Sequence, residues 1–420
     1  MSLILVILFY WSPIPLLLLW HVHGVSRRNR ALGERSGWLM AGIVVWSAAP
    51  ILKKLLVDQW WPPVDGLEHE CYAREIAAHL RNGQFGDALG YFSIGNFAYR
   101  FCVGVFYAIT GAPEFIIYAI NAAFGFAAMI ALLDVLCLHA PAPRLSRTVV
   151  CSCLFIPSGL IWTSANLKEG PVLWGICTML YFTVERQQFR RHIPMIRPLC
   201  GAMLVGIFRP QIACLWVAAI ALLAIFRMKR PVLALAAIGG MFGCLLLLKV
   251  AAPQLYAAIT TDGVTSSLNA RYETLTDNDN LTSRHFRNAK PIPIYTGTML
   301  ILFRPWPTEA VGAAELMASA EVGMLALLGA WHWFGIKRPL ALLRKPVTLS
   351  MLAALLLLGF YFSYMYNMGL VVRQRLMAFP AVLFLYNYPF VAAAMARPVA
   401  ALRRPWQRGT PAMRPALRQG

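Results

Sequence analysis

The strongest constraint on this chain is a succession of apolar runs, many about twenty residues long, separated by short breaks that hold basic residues, proline or glycine. A bilayer's hydrocarbon core is about 30 Å thick and takes roughly 20 apolar residues to cross as a helix. With 59% hydrophobic and 13% charged residues, the 420-residue chain is too apolar for a water-soluble domain, in which about a quarter of residues are charged. The pattern predicts an all-α polytopic membrane protein. It excludes a soluble enzyme, a disordered tail and a single-pass receptor.

A formal charge of +20 would suggest a nucleic-acid partner in a soluble chain. Position gives it another meaning here. Residues 23–36, 139–147, 185–197, 227–231, 337–345 and 397–420 hold 23 of the 38 Lys and Arg, and Glu34 and Glu185 are their only acids. The positive-inside rule makes these six segments cytoplasmic. Most of the basic excess is therefore an orientation signal, and no nucleic-acid motif accompanies it.

With those segments inside, about eleven crossings follow: 2–21, broken by Pro13 and Pro15, then 38–57, 115–138, 148–163, 170–184, 199–208, 212–226, 232–252, 313–335, 347–367 and 376–395. Residues 58–93 form a polar outer loop carrying Asp58, Asp65, Glu68, His69, Glu70, Glu75, His79 and Asp87, and Glu70 to Arg81 reads as an amphipathic surface helix. An odd number of crossings must separate this loop from Arg144 and Arg147. The shorter intervening run, 94–110, carries Arg100 and is assigned as a juxtamembrane or re-entrant helix. A second outer loop, 253–293, precedes a run, 294–303, too short to cross.

The chain divides into an N-terminal helix with a basic loop (1–36), a transmembrane core including the first outer loop at 58–113 (37–252), a second outer loop and re-entrant turn (253–311), C-terminal helices (312–396) and a basic cytoplasmic tail (397–420) held near anionic lipid. Residues 2–20 lack a basic start and a small-residue cleavage site, so they read as a retained helix. Most Cys lie in apolar runs as small hydrophobes, whereas Cys71 and Cys102 both reach the oxidising side. The eight His show no ligand spacing, so no structural zinc is expected.

This topology collects Asp65, Glu68, Lys168, Glu169, Arg209, Arg304, Glu309, Arg373 and Arg375 at outer helix ends, leaving Asp134 within a run towards its inner end. Ionisable groups beside hydrocarbon are costly and tend to line polar cavities or bind charged headgroups. Asp65, in Trp60-Trp61-Pro62-Pro63-Val64-Asp65-Gly66, has two readings. It is a carboxylate able to take a proton from an acceptor hydroxyl, at a partly desolvated position that raises its pKa, or a helix cap. At Lys168-Glu169-Gly170-Pro171, the ammonium has the charge to neutralise a lipid phosphate, and Pro171 suits the first turn of a helix whose positive end would lie near Glu169. A capped hairpin is the structural alternative.

Arg209-Pro210 interrupts a long apolar run, so Arg209 is either buried between two helices or snorkelling outwards. Its guanidinium fork matches two phosphate oxygens. Arg304-Pro-Trp-Pro-Thr-Glu309 is a rigid turn before a helix bearing Glu315 and Glu321, and a structural ion pair is its simpler account. Arg373 and Arg375 open the last crossing on the outer side, against the positive-inside preference, which asks for an anionic partner. Arg271, Arg284, His285, Arg287 and Lys290 in the second outer loop read as solvated surface.

In order and face, Asp65, the stretch Cys71-Tyr-Ala-Arg-Glu-Ile-Ala-Ala-His-Leu80 with Gly83, and the hairpin at Lys168-Glu169 resemble the GT-C superfamily of membrane glycosyltransferases. In that superfamily an acidic residue follows a crossing helix into the first outer loop, juxtamembrane helices come next, and a second acidic residue lies at a later outer hairpin. Residues 157–169, 304–309 and 369–375 are also similar to bacterial membrane proteins of surface-polysaccharide assembly, polymerase-like ones included. The resemblance covers about residues 37–395. The chain departs from it in the extra N-terminal helix, the absence of a clear Pro-Pro-Leu motif before the short helix, and the lack of an outer soluble C-terminal domain.

The resemblance implies an inner-membrane enzyme that moves a sugar or repeat unit from an undecaprenyl phosphate or diphosphate carrier to a glycan or lipid acceptor on the outer face. Asp65 and Glu169 would be the catalytic carboxylates, Asp65 as general base. Lys168, Arg209, Arg304, Arg373 and Arg375 would hold the departing phosphate, with Glu169 and Glu309 orienting them or the sugar. Polyprenyl-linked sugar, acceptor, membrane lipid and polysaccharide assembly proteins are the implied partners, and no cofactor is. Two other classes use the same residues: a lipid-linked glycan flippase, which the breaks at Pro210 and Lys168 also suit, and a non-catalytic assembly subunit.

Overall fold

The computed structural model describes residues 13–58, 64–138, 145–189, 196–227, 302–310, 313–334, 336, 339–362 and 368–396. The expected crossing at 232–252, the second outer loop with its basic residues and the tail at 397–420 lie outside these residues. Among the described residues every regular element is helical. Three helices among these residues are long and apolar enough to cross a membrane by length and composition: Ser36–Val57, Phe115–Leu138 and Val371–Ala392. The apolar helices Ile196–Phe208, Pro210–Leu222 and Pro346–Phe362 are shorter.

The first described helices are α1 (Pro13–Arg28), the single turn α2 (Arg30–Gly33) and α3 (Ser36–Leu52), which continues through a wider turn, Lys53–Val57. Pro50 lies inside α3 and has no N–H for its own turn, and the helix widens just after it. Next come α4 (Val64–Arg81), α5 (Phe85–Gly90) and α6 (Asn96–Thr110). The centre of the molecule is α7 (Phe115–Leu138), apolar all round and buried along most of its length, as expected of a helix enclosed by others. Against it pack α1, α3, α8 (Arg147–Leu154), α9 (Pro157–Thr163) and, most extensively, α10 (Glu169–Phe189).

Helix α10 also packs on α11 (Ile196–Phe208), where Gly175 and Gly201 let the backbones meet: a Cβ on Gly175 would stand 2.5 Å from the Gly201 carbonyl oxygen. Helix α12 (Pro210–Arg227) leans on α15 (Pro346–Phe362), and α13 (Ala313–Phe334) on α17 (Phe379–Ala396). Between them lie α14 (Pro339–Leu343) and α16 (Met368–Arg375), which a 3₁₀ turn, Leu376–Ala378, joins to α17.

The first described helix, Pro13–Arg28, continues through Pro15 without a break and runs past the expected end at residue 21; three further differences bear on the site. The run at 148–163 is not one helix but α8 and α9, with Ile156 extended at φ −80° and ψ 117°. Proline disfavours the helical conformation in the residue before it, so Pro157 both ends one helix and starts the next. The surface helix begins at Val64 rather than Glu70, so Asp65 sits in its first turn instead of capping it. The last span includes Arg373 and Arg375 rather than starting after them.

Charged contacts mark the two ends of α7. Near its C-terminal end, Asn29 Nδ2 donates to Asp134 Oδ1 over 2.9 Å, and Arg35 Nε donates to the Leu145 carbonyl over 2.6 Å. Arg28 and Arg197 also lie near enough to Asp134 to act on it by charge. Near the N-terminal end, the Tyr118 hydroxyl donates to Glu114 over 3.1 Å, and buried Lys53 pairs with Asp58.

Candidate functional site

The charged residues of the opposite end converge through helix termini. Glu169 opens α10, Arg209 fills the one-residue gap between α11 and α12, Asp65 lies in the first turn of α4, and Arg373 projects from α16. Arg209 is thus buried, the first of its two readings, because Pro210 starts a new helix and turns the chain inwards at that point.

Glu169, 1% exposed, is the hub. Its Oε1 accepts from Arg209 Nη2 over 2.5 Å and lies 3.1 Å from Arg373 Nε. Arg373 Nη1 in turn donates to Asp65 Oδ2, so one guanidinium joins the two carboxylates. Arg209 Nη1 donates to Gln374 Oε1 over 2.7 Å, tying α16 to the α11–α12 junction. Asp65 differs from Glu169 in exposure: its side chain is 44% exposed, so it stands at the rim while Glu169 forms the floor.

Glu169 Oε2, Arg209 Nε and Arg373 Nε are buried with no hydrogen-bond partner among the described residues. Arg373 Nε is close to Glu169 but poorly aligned with it. Buried polar atoms are nearly always paired, and these unsatisfied atoms surround one charged cluster.

Lys168 precedes Glu169 and donates through Nζ to Asn96 Oδ1. Burial disfavours its charge most, and the Arg209 guanidinium adds to this, bringing its pKa down to about 6. Burial pushes the Asp65 carboxyl up, as the sequence reading expects, but Arg373 outweighs it by charge and hydrogen bond. The net shift is downward, below the usual carboxylate value.

A second cluster adjoins the first. Arg375 Nη1 donates to the Arg304 carbonyl over 2.7 Å, and Nη2 lies 3.6 Å from Glu321 Oε1. Glu321 accepts from the backbone N–H and the hydroxyl of Ser158, each at 2.6 Å, which joins α9 to α13. Arg304 grips Glu309 with Nε and Nη2 at 2.9 and 2.6 Å, and Glu309 also accepts from the Trp306 N–H over 2.9 Å. The Arg304–Glu309 turn is therefore the structural ion pair that its spacing allows. Arg375 ties helices together here rather than joining Arg209 and Arg373.

A buried polar chain holds α4 against the 165–169 hairpin. Asn121 Nδ2 donates towards the Ala165 and Leu167 carbonyls at 2.7 and 2.9 Å and to the Tyr99 hydroxyl at 2.8 Å. Tyr99 donates to Asn166 Oδ1 over 2.9 Å, and Asn166 Nδ2 donates to Glu70 Oε2 over 3.0 Å. Tyr107 and Arg74 complete Glu70's coordination at 2.6 Å each. Asn121 carried a sequence signal, as a lone amide in a 24-residue apolar helix, whereas Asn96, Gln374 and Ser158 carried none.

Among the described residues no group of three His, Cys, Asp or Glu stands together to hold a metal ion, and Cys71 and Cys102 are free thiols. The arrangement can bind an anion through guanidinium and ammonium groups and present one rim carboxylate to it. No family model matches the chain, and no curated protein or solved structure matches it.

Proposed function

We propose that this protein is a polytopic inner-membrane glycosyltransferase of GT-C type with about eleven crossings. It moves a sugar or repeat unit from an undecaprenyl phosphate or diphosphate carrier to a glycan or lipid acceptor at the outer face, in cell-surface polysaccharide assembly. The observation that carries this reading is the guanidinium of Arg373 shared between the rim carboxylate Asp65 and the buried carboxylate Glu169.

In the proposed reaction the acceptor oxygen bonds to the anomeric carbon as its proton passes to Asp65. The bond from that carbon to the carrier phosphate breaks, and its electron pair leaves with the phosphate oxygen. Negative charge grows there in the transition state, where fixed donors stabilise it most. Arg209, Arg373 and Lys168 are placed for that task, with Glu169 orienting both guanidinium groups.

The resting Asp65 is a weak base because Arg373 holds its charge. A phosphate that draws on the Arg373 donors removes part of that stabilisation and raises the Asp65 pKa as the substrate arrives. Lys168, poorly charged when empty, gains a proton beside the same anion. Purified protein in nanodiscs with radiolabelled polyprenyl-linked sugars tests the reading. Transfer falls at least about a hundredfold in Asp65→Asn, the usual scale for losing a general base, while carrier binding persists. Full transfer by that variant removes the base assignment, and carrier binding without transfer from any donor by wild type favours a flippase.

A further inference from the structure

We infer that His69 belongs to the site as an uncharged donor, its Nε2–H offered to a phosphate oxygen of the bound carrier, with the ring proton kept on that nitrogen by Arg100. Donor chemistry sets the tautomer. Arg100 Nε donates to His69 Nδ1 over 3.1 Å in buried surroundings. A guanidinium has no acceptor, so Nδ1 must keep its lone pair and the proton of the neutral ring sits on Nε2.

Arg100 is itself held in place. Its Nη2 lies 2.9 Å from Glu68, and its guanidinium lies 4.4 and 4.6 Å from the centres of the Tyr72 and Phe97 rings. The Tyr99 ring, tilted at 5.3 Å from the imidazole, closes another side. His69 follows Asp65 by four residues on α4, which puts the two on one helix face.

The charges whose fields reach the ring are Arg100 from α6, Glu169 and Lys168 from the hairpin and the start of α10, and Asp65 from α4. The imidazole is thus held by Arg100 on its Nδ1 side and lies within electrostatic reach of the Asp65, Lys168 and Glu169 charges of the anion site. Burial and Arg100 hold its pKa down at about 3, so its charge is constant between pH 5 and 8. The ligand's identity rests on the glycosyltransferase reading, but the tautomer does not.

The test uses full-length protein in nanodiscs labelled with ¹⁵N-histidine, His69 being assigned by its loss in His69→Gln. A neutral Nε2–H signature that persists from pH 5 to 8 is expected, and a ring that titrates near the ordinary histidine value overturns the inference. Binding of radiolabelled undecaprenyl monophosphate is then compared across variants. His69→Gln, whose amide nitrogen reaches about the Nε2 position, binds within about threefold of wild type, whereas His69→Phe loses at least tenfold.

Equal loss in both variants, full affinity in His69→Phe, or no binding by wild type overturns the donor role. Binding that depends on His69 in a protein that transfers no sugar keeps this inference and removes the enzyme. Transfer by wild type with undiminished affinity in His69→Phe does the reverse.

Discussion

Glu169 and Asp65 lie on one guanidinium yet face different surroundings, and that difference separates their roles. Glu169 is the buried counter-charge of Arg209 and Arg373, so removing it leaves guanidinium charge uncompensated among helices, a costly state. Asp65 at the rim can exchange its partner for solvent or substrate. Lys168 makes a separate prediction. Its folded pKa, about 6, lies below the unfolded value near 10.5, so between those values the unfolded chain binds the extra proton. Stability therefore rises with pH across that window, by at most about 1.4 kcal/mol per pH unit for one proton. Unfolding in mixed micelles from pH 6.5 to 9 should show the rise in wild type and lose it in Lys168→Met. An unchanged slope in the variant rejects the assignment. Asp65, its pKa also lowered, gives a slope of the same sign at acid pH, its stabilisation being lost as the pH falls through the folded value. The types and positions of these charged residues were legible in the sequence, but the shift in Asp65 was not, because Arg373 lies 308 positions away.

The elements that carry these residues are held by close backbone approach. At Gly170, a Cβ would stand 2.5 Å from the Asn121 carbonyl oxygen, an atom that cannot yield without moving α7. Gly170→Ala is expected to destabilise the protein by about 2 kcal/mol, the scale of overpacking. It should also lower transfer, because Asn121 anchors the hairpin bearing Lys168. Gly206 on α11 has nothing within 4 Å of such a carbon, so Gly206→Ala should stay within about 0.5 kcal/mol of wild type. Unfolding of the two variants side by side checks both, and equal stability would show that the α7–α10 contact is looser than described. Long helices were readable from composition: the run at 115–138 matches α7 at both ends. The break at Ile156 follows from the restriction that Pro157 places on its neighbour, which the apolar content of 148–163 does not register, and the early start of α4 falls on a largely polar stretch with no apolar run to mark it.

For the molecule as a whole, the charge asymmetry predicts sidedness. The Cys71 thiol on α4 is exposed and should react with a membrane-impermeant maleimide applied to intact spheroplasts, while buried Cys153 should not. Reaction of Cys71 only after the membrane is opened would invert the orientation. The sequence by itself determined that the chain is helical and apolar on the scale of a bilayer, and it supplied Asp65, Lys168, Glu169, Arg209 and Arg373 as charged residues at helix ends. Those properties follow from composition and periodicity, which are local. Only the tertiary structure decided which of these charges meet. Arg373 and Arg375 are two residues apart on one helix, and at about 100° per residue their side chains leave it in nearly opposite directions. One joins Asp65 and Glu169 while the other joins Glu321 and the Arg304 carbonyl. Which direction faces which helix is set by how α16 is rotated against α4, α9, α10 and α13. That rotation is fixed by packing between segments hundreds of residues apart.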